Sequence, residues 1–294
     1  CPNTSSSEVA NAEGCGDTQV ANASCANQRN LAGNNSYQVV LPITDGNGEA
    51  QTVSFQVLEP ASFDCDNIAN AAHPLILEGH GYGGSRQTSG FDDYRSQGYT
   101  VISIDQRGFG ASSGPIRTMD PEFEGQSLLA ILDWAEQNLD YLAWKNDGTG
   151  DFIAQPATAS SVAGGDNLLV GAIGGSYGGG YQLLILTVDD KKRLDALQPD
   201  ITWHDLRNSL NPGDAIKSMW SLALVGLGES ASYGVGLSNG QTPDNRGQDP
   251  FIKETLARGS ATNEFPRTAL DWFQFHGLGY WCQAAGLPNM PYKT

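Results

Sequence analysis

Ser176 stands in Gly174-Gly175-Ser176-Tyr177-Gly178, a G-x-S-x-G spacing. An apolar run, Leu168 to Ile173, leads into it, and a helix-compatible run, Tyr181 to Val188, leads out. A serine on a strand–turn–helix junction has its hydroxyl lifted clear of a sheet and offered to an acyl carbonyl. The glycines are required because side chains at 174 and 178 would collide with the strand and the helix, and the turn itself strains the backbone. The turn also aims the backbone N–H of Tyr177, at a helix N-terminus, towards a developing oxyanion. The bland alternative is a Gly-rich turn with an idle serine; the strand before it and the helix after it favour the nucleophile.

Two further loops follow apolar strands. Glu78-Gly-His-Gly-Tyr-Gly-Gly84 comes after Pro74 to Leu77, and its glycines let backbone approach a carbonyl closely. A second oxyanion donor is expected here, either a backbone N–H near Tyr82 or the Tyr82 hydroxyl. His80 is read as support for the loop. Ile104-Asp-Gln-Arg-Gly-Phe-Gly-Ala-Ser-Ser-Gly114 comes after Thr100 to Ile104. Asp105 and Arg107 are expected to bond backbone groups within a tight loop, which is structural work rather than chemistry.

These loops need elements to hold them. Ser36 to Pro42 and Gln51 to Leu58 alternate apolar and polar residues around Asp45-Gly46-Asn47-Gly48, a hairpin signature. Gln126 to Leu142 carries one apolar face and reads as a helix. Leu194 to Trp203 reads as a further strand. Strands and helices then alternate, which predicts an α/β fold with a mostly parallel sheet. From Asn211 the pattern is helical, over Ala215 to Leu227, Asp249 to Ala257 and Ala269 to Tyr280. Residues 1–33 are small and polar and read as a flexible tether, 34–208 as the core and 209–294 as a helical cap region.

A net charge of −17 repels phosphate, so nucleic acid and anionic membranes are improbable partners. No cysteine pair has C-x-x-C spacing, and the glycines at 171–180 fail the dinucleotide spacing G-x-G-x-x-G, so no metal or cofactor is expected. The sequence starts at Cys1 ahead of a small-residue tether. That resembles a mature bacterial lipoprotein, and it implies an exported chain with a lipid anchor at Cys1. Cys15, Cys25, Cys65 and Cys282 then form an even set; Cys15–Cys25 and Cys65–Cys282 are one pairing among those open to them.

The elbow G-G-S-Y-G-G, the loop D-Q-R-G-F-G-A-S-S-G, Asp120-Pro-Glu-Phe-Glu-Gly125 and Ile201-Thr-Trp-His-Asp-Leu206 together resemble the Xaa-Pro dipeptidyl-peptidase and cocaine-esterase-like family of α/β-hydrolases. The resemblance covers roughly residues 36–290. It implies an α/β-hydrolase fold with a helical cap inserted over the site. It implies Ser176 as nucleophile, with the Tyr177 N–H and the Tyr82 hydroxyl as oxyanion hole, acting on a small ester or peptide through an acyl-enzyme.

A base and an orienting acid are also needed, in the chain order Ser, then Asp or Glu, then His. In the family both follow two further strands beyond the cap, and no such strands are legible here. His73 and His80 precede the serine; His204 and His276 follow it, and each reads as a packed or surface residue rather than a base. The expectation is that the catalytic Asp and His reside on a missing C-terminal segment or on a second chain. The competing class is a non-catalytic cell-surface binding or structural protein on a hydrolase scaffold.

Overall fold

The computed structural model describes residues 33–61, 73–139, 141–145, 152–154, 168–236 and 245–278. Its strands are β1 (Ser36–Thr44), β2 (Ala50–Leu58), β3 (Leu75–Gly79), β4 (Thr100–Asp105), β5 (Ala143–Lys145), β6 (Phe152–Ala154), β7 (Val170–Gly175) and β8 (Leu194–Asp200). Its helices are α1 (Asp92–Ser96), α2 (Glu124–Asn138), α3 (Tyr177–Val188), α4 (Leu206–Leu210), α5 (Ser218–Gly236), α6 (Pro250–Thr262) and α7 (Arg267–Phe275).

The main sheet runs β1-β2-β4-β3-β7-β8, and β5 with β6 forms a separate ribbon. β1 and β2 are the expected hairpin, whose turn is set by Asp45 accepting the N–H groups of Asn47 and Glu49. β2 meets β4 antiparallel, and from β4 through β3 and β7 to β8 every pairing is parallel. β3 and β4 are buried along their whole length, as expected of short apolar strands covered on both faces. Among the described residues β8 pairs on one side only, with β7.

α2 buries Leu128, Ile131, Leu132 and Ala135 against the sheet. The apolar pattern extends the helix to Leu142, yet it ends at Asn138. Leu139 leaves helical geometry at φ −111° and ψ 84°, and the chain turns into β5. Leu139 and Leu142 are still buried, so the pattern reported burial beyond the point where it reported helix. α3 is clamped to the sheet by Tyr181, whose hydroxyl reaches Leu77 O (2.9 Å) and Ile173 O (3.1 Å). α5 and α6 begin three and one residues from their sequence-expected starts, at Ser218 and Pro250.

Besides a small cluster of Leu58, Ile76 and Val101, apolar side chains form one large cluster on the sheet and a second among α4, α6 and α7, the second built on Leu206, Leu210, Ile252, Leu256 and Phe273. Trp203 packs against both. All but the last residue of the tether expected over residues 1–33, and all five cysteines, hence the disulfide pairings and the Cys1 anchor, lie outside the described residues.

Candidate active site

β7 delivers the chain to the turn and α3 takes it away. Between them Ser176 adopts φ 56° and ψ −117°, a region that L residues rarely enter. Close packing around the turn holds this geometry. A Cβ at Gly174 (φ +144°) would lie 2.5 Å from Gly79 O and 2.6 Å from Gly178 O. A Cβ at Gly178 would strike Gly79 O outright. The end of β3 therefore touches the elbow with no room between. Ser176 N–H bonds Asp200 O at the end of β8 (2.8 Å), which ties the turn to the next strand. Ser176 O accepts the N–H groups of Gly179 and Gly180 as the first turn of α3 closes.

Tyr177 begins α3, and the first N–H groups of a helix have no carbonyl one turn back to bond. Its ring is buried. Ser176, Tyr177 and Tyr82 line one cavity of about 230 Å³. The Tyr82 oxygen accepts from Gln248 Nε2 at 2.5 Å, so the phenol keeps its own proton to donate. Burial pushes the Tyr82 hydroxyl well above its ordinary pKa, and the neighbouring charges of Glu229 and Glu124 push the same way against the Gln248 bond. Burial likewise raises the Tyr177 hydroxyl.

His80 is part of the scaffold, as the sequence suggested. Its Nε2 accepts the Gln106 N–H (3.0 Å) and its Nδ1 faces Gly81 O (2.7 Å), partners that select the neutral Nδ1–H tautomer. Burial lowers its pKa, with Gly81 O and Asp105 opposing. Asp105 accepts the Arg86 N–H (2.7 Å) and the Ala111 N–H (2.9 Å) and pairs with the Arg86 guanidinium. Arg107 bonds Asp45 (2.9 Å) and Pro115 O (3.0 Å). Each thus bonds its own loop and also ties it to another, Asp105 to the loop after β3 and Arg107 to the β1–β2 turn, which is more than the local bonding expected; neither lines the cavity.

The remaining histidines are also placed. His73 Nδ1 lies 2.7 Å from Gly98 O, and burial lowers its pKa. His204 is exposed. His276 is buried with Nδ1 2.9 Å from Thr118 O, Nε2 3.5 Å from Asp120 Oδ2, and its ring stacked on Trp272. It faces a small crevice behind Trp203 and Gly180, not the Ser176 cavity. Among the described residues no hydrogen bond reaches the Ser176 hydroxyl, and every histidine of the sequence is among them.

The helical segment is fastened to the core close by. Arg117 bridges Asp120 (3.0 Å) and Asp249 (2.6 Å). Ile116 exchanges backbone bonds with Gly247 and Asp249. The buried Arg246 donates to Gly110 O and Ser232 O (both 3.1 Å) and to Ser112 O. Sequence reading did not find Gln248, Trp203, Trp220, Thr118 or Lys217 as cavity residues. Lys217, Trp220 and Gln248 arrive with the helical segment and Thr118 and Trp203 on loops of the core; tertiary packing joins them, and local spacing carries no signal for that.

A strained serine at the β7–α3 junction of this mixed, mostly parallel sheet defines an α/β-hydrolase. Residues 50–273 match the family described as X-Pro dipeptidyl-peptidase (S15 family). The chain belongs to that family. A stretch of 71 residues is 31% identical to an uncharacterized 31.7 kDa protein of Escherichia coli, covering 23% of this chain and 25% of that one. The chain thus aligns with about a quarter of that relative's length. Similar solved structures include an aminopeptidase from the marine sediment archaeon Thaumarchaeota archaeon, at 15% identity and a TM-score of 0.49 over 87% of this chain and 41% of that one. A CocE/NonD family hydrolase from Staphylococcus aureus is similar at 13% identity and a TM-score of 0.48, over 84% and 42% of the two chains. An alpha-amino acid ester hydrolase is similar at 15% identity and a TM-score of 0.47, over 89% and 42%.

Proposed function

We propose that this protein is a serine hydrolase of acyl bonds, ester or peptide. Ser176 Oγ attacks the substrate carbonyl carbon, and the carbonyl π electrons move onto oxygen. The Tyr177 N–H and the Tyr82 O–H donate to that oxyanion. The tetrahedral intermediate expels the alcohol or amine, which carries away a proton, and water then hydrolyses the acyl-enzyme. The observation that carries the reading is the strained Ser176 opening into a cavity shared with the Tyr82 phenol, whose oxygen accepts from Gln248. Family membership supports it.

The base that takes the serine proton and the acid that orients it are assigned to residues beyond this sequence, on a continuation of the chain or on a second polypeptide. Two observations support this: the four histidines have other partners or exposed positions, and β8 has a free side among the described residues.

The test is covalent labelling of the full-length protein by a fluorophosphonate. Rapid modification, abolished in Ser176→Ala, is expected. A folded full-length protein that never labels overturns the enzyme and leaves the non-catalytic scaffold reading in its place.

A further inference from the structure

The cavity beside Ser176 has a chemical character that narrows what it holds. Its walls are Trp203, Leu206, Leu210, Leu224, Ile252 and Phe273, supplied by the β8–α4 loop and by α4, α5, α6 and α7. Among the described residues that line it, Lys217 is the only charged one. Lys217 is exposed, and its backbone is fixed by N–H donation to Leu210 O (3.0 Å) and by acceptance from the Ser221 N–H (2.9 Å). The apolar lining continues outward. Ile201 and Trp220 line the cavity and are 83% and 59% exposed, so a chain leaving the pocket runs over apolar surface.

The nearest carboxylates do not offset this. Glu124 is buried and engaged by the N–H groups of Arg117 and Asp120. Glu229 accepts the Gln248 N–H and faces Lys253. Neither lines the cavity. Asp200 lies beside Gly175, is exposed and does not line the cavity. An ammonium group entering the pocket would lose its hydration, find no counter-ion among the described lining residues and meet Lys217 at the rim.

We propose that the Ser176 cavity selects an uncharged, apolar acyl group and rejects a free amine, with Lys217 as the specificity-determining residue at its rim. The substrate class is then an ester or amide of a short to medium apolar acid, and not the free amino terminus of a peptide. This rests on the reading of Ser176 as nucleophile only in calling the bound group acyl; the selectivity belongs to the cavity and is measurable without turnover.

The experiment uses full-length protein carrying Ser176→Ala, titrated at neutral pH with hexanamide and with hexylammonium. Binding is read by calorimetry and by the fluorescence of Trp203 and Trp220. The expected result is that hexanamide binds at least about tenfold more tightly, a gap of about 1.4 kcal/mol. Adding Lys217→Glu should bring the two ligands within about threefold of each other or reverse them. Equal or tighter binding of hexylammonium to the unaltered pocket overturns the inference, as does a failure of both ligands to bind. A ratio untouched by Lys217→Glu also overturns it, since the rim residue then has no part in selection. Fluorophosphonate labelling of Ser176 reads the catalytic proposal separately. Labelled protein with the wrong ligand preference loses only this inference; unlabelled protein that keeps the preference loses only the catalytic one.

Discussion

Two glycines in helices separate packing from propensity. Gly178 lies in α3 and Gly226 in α5. Helix propensity alone makes Gly→Ala favourable by roughly 0.5–1 kcal/mol at both. At Gly226 a methyl meets nothing within 4 Å, so that gain should appear in full. At Gly178 the methyl falls on Gly79 O, with Gly79 C 2.8 Å and His80 O 3.1 Å away. All three are backbone atoms at the end of β3, which is paired on both edges to β4 and β7. They cannot swing aside as a side-chain tip would. Overpacking typically costs about 1–3 kcal/mol. Here relief requires α3 to move off the strand and to carry Ser176 with it, so a net loss of about 3 kcal/mol is expected, a large part of a stability on the order of 5–15 kcal/mol. Urea denaturation of the full-length variants reads the stability, and the fluorophosphonate labelling rate of the folded protein reads the elbow. Gly226→Ala should raise the midpoint slightly and leave labelling alone. Gly178→Ala should lower the midpoint and slow labelling at least about tenfold, even where the protein is folded. If Gly178→Ala is within about 0.5 kcal/mol of the parent and labels equally fast, the close approach of β3 does not define the elbow and the argument fails.

Three further outcomes are expected. Tyr82→Phe removes one oxyanion donor and should slow acyl-bond cleavage by about 10²–10³ while moving stability by no more than about 1 kcal/mol; an unchanged rate removes Tyr82 from the chemistry. Asp105→Asn breaks a buried ion pair with Arg86 and should destabilise by about 3 kcal/mol or more, yet the folded fraction should label Ser176 at the parental rate; a selective loss of labelling would make the loop catalytic after all. Burial pushes the Asp120 carboxyl up, but His276, the Glu122 N–H and Arg117 outweigh it and hold the group below its ordinary range. A depressed folded pKa contributes stability that is present above the unfolded value near pH 4 and is lost as pH falls through the folded one. Denaturation midpoints between about pH 3 and 7 should therefore fall more steeply for the parent than for Asp120→Asn at the acid end; parallel curves would refute the attribution.

The sheet was legible because buried strands and their turns leave local marks. The hairpin around Asp45, the apolar runs that became β3, β4 and β7, and the glycines of the elbow all act within a few residues of themselves. Helix ends were less so. The apolar positions of α2 continue to Leu142 because Leu139 and Leu142 are core residues, and burial does not reveal that the backbone has already turned. α1 and α4, each five residues long, have too few turns to show a period. The cavity was the least legible part. Ser176, Tyr177 and Tyr82 come from motifs, whereas Gln248, Lys217, Trp203 and Trp220 are ordinary residues of a helical segment and a loop. Their meaning arises only when long-range contacts such as Arg117–Asp249 bring that segment to the sheet.

The separate motifs share a physical basis in their aromatic residues. Tyr82 of the H-G-Y-G loop, Phe109 of the R-G-F-G loop, Tyr177 of the elbow and Trp203 of the T-W-H-D segment meet beneath the cavity. Tyr82 lies 5.1 Å from Phe109 and 5.2 Å from Tyr177, both edge-on. Phe109 is 5.9 Å from Tyr177, and Tyr177 is 6.1 Å from Trp203. Such pairs contribute about 0.5–1.5 kcal/mol each beyond burial, so moving one loop strains the others. The glycines beside each ring let the loops come close enough for the rings to touch. This divides the labour at Tyr177: its buried ring anchors the turn, and its N–H is left for the proposed oxyanion. At Tyr82 the division is sharper. Phe109 and Tyr177 fix the ring, and Gln248 from the helical segment fixes the hydroxyl oxygen. With the oxygen accepting from one side, the phenol proton is directed by contacts from both layers of the molecule. The helical segment is therefore part of the proposed oxyanion site as well as the wall of the pocket above it.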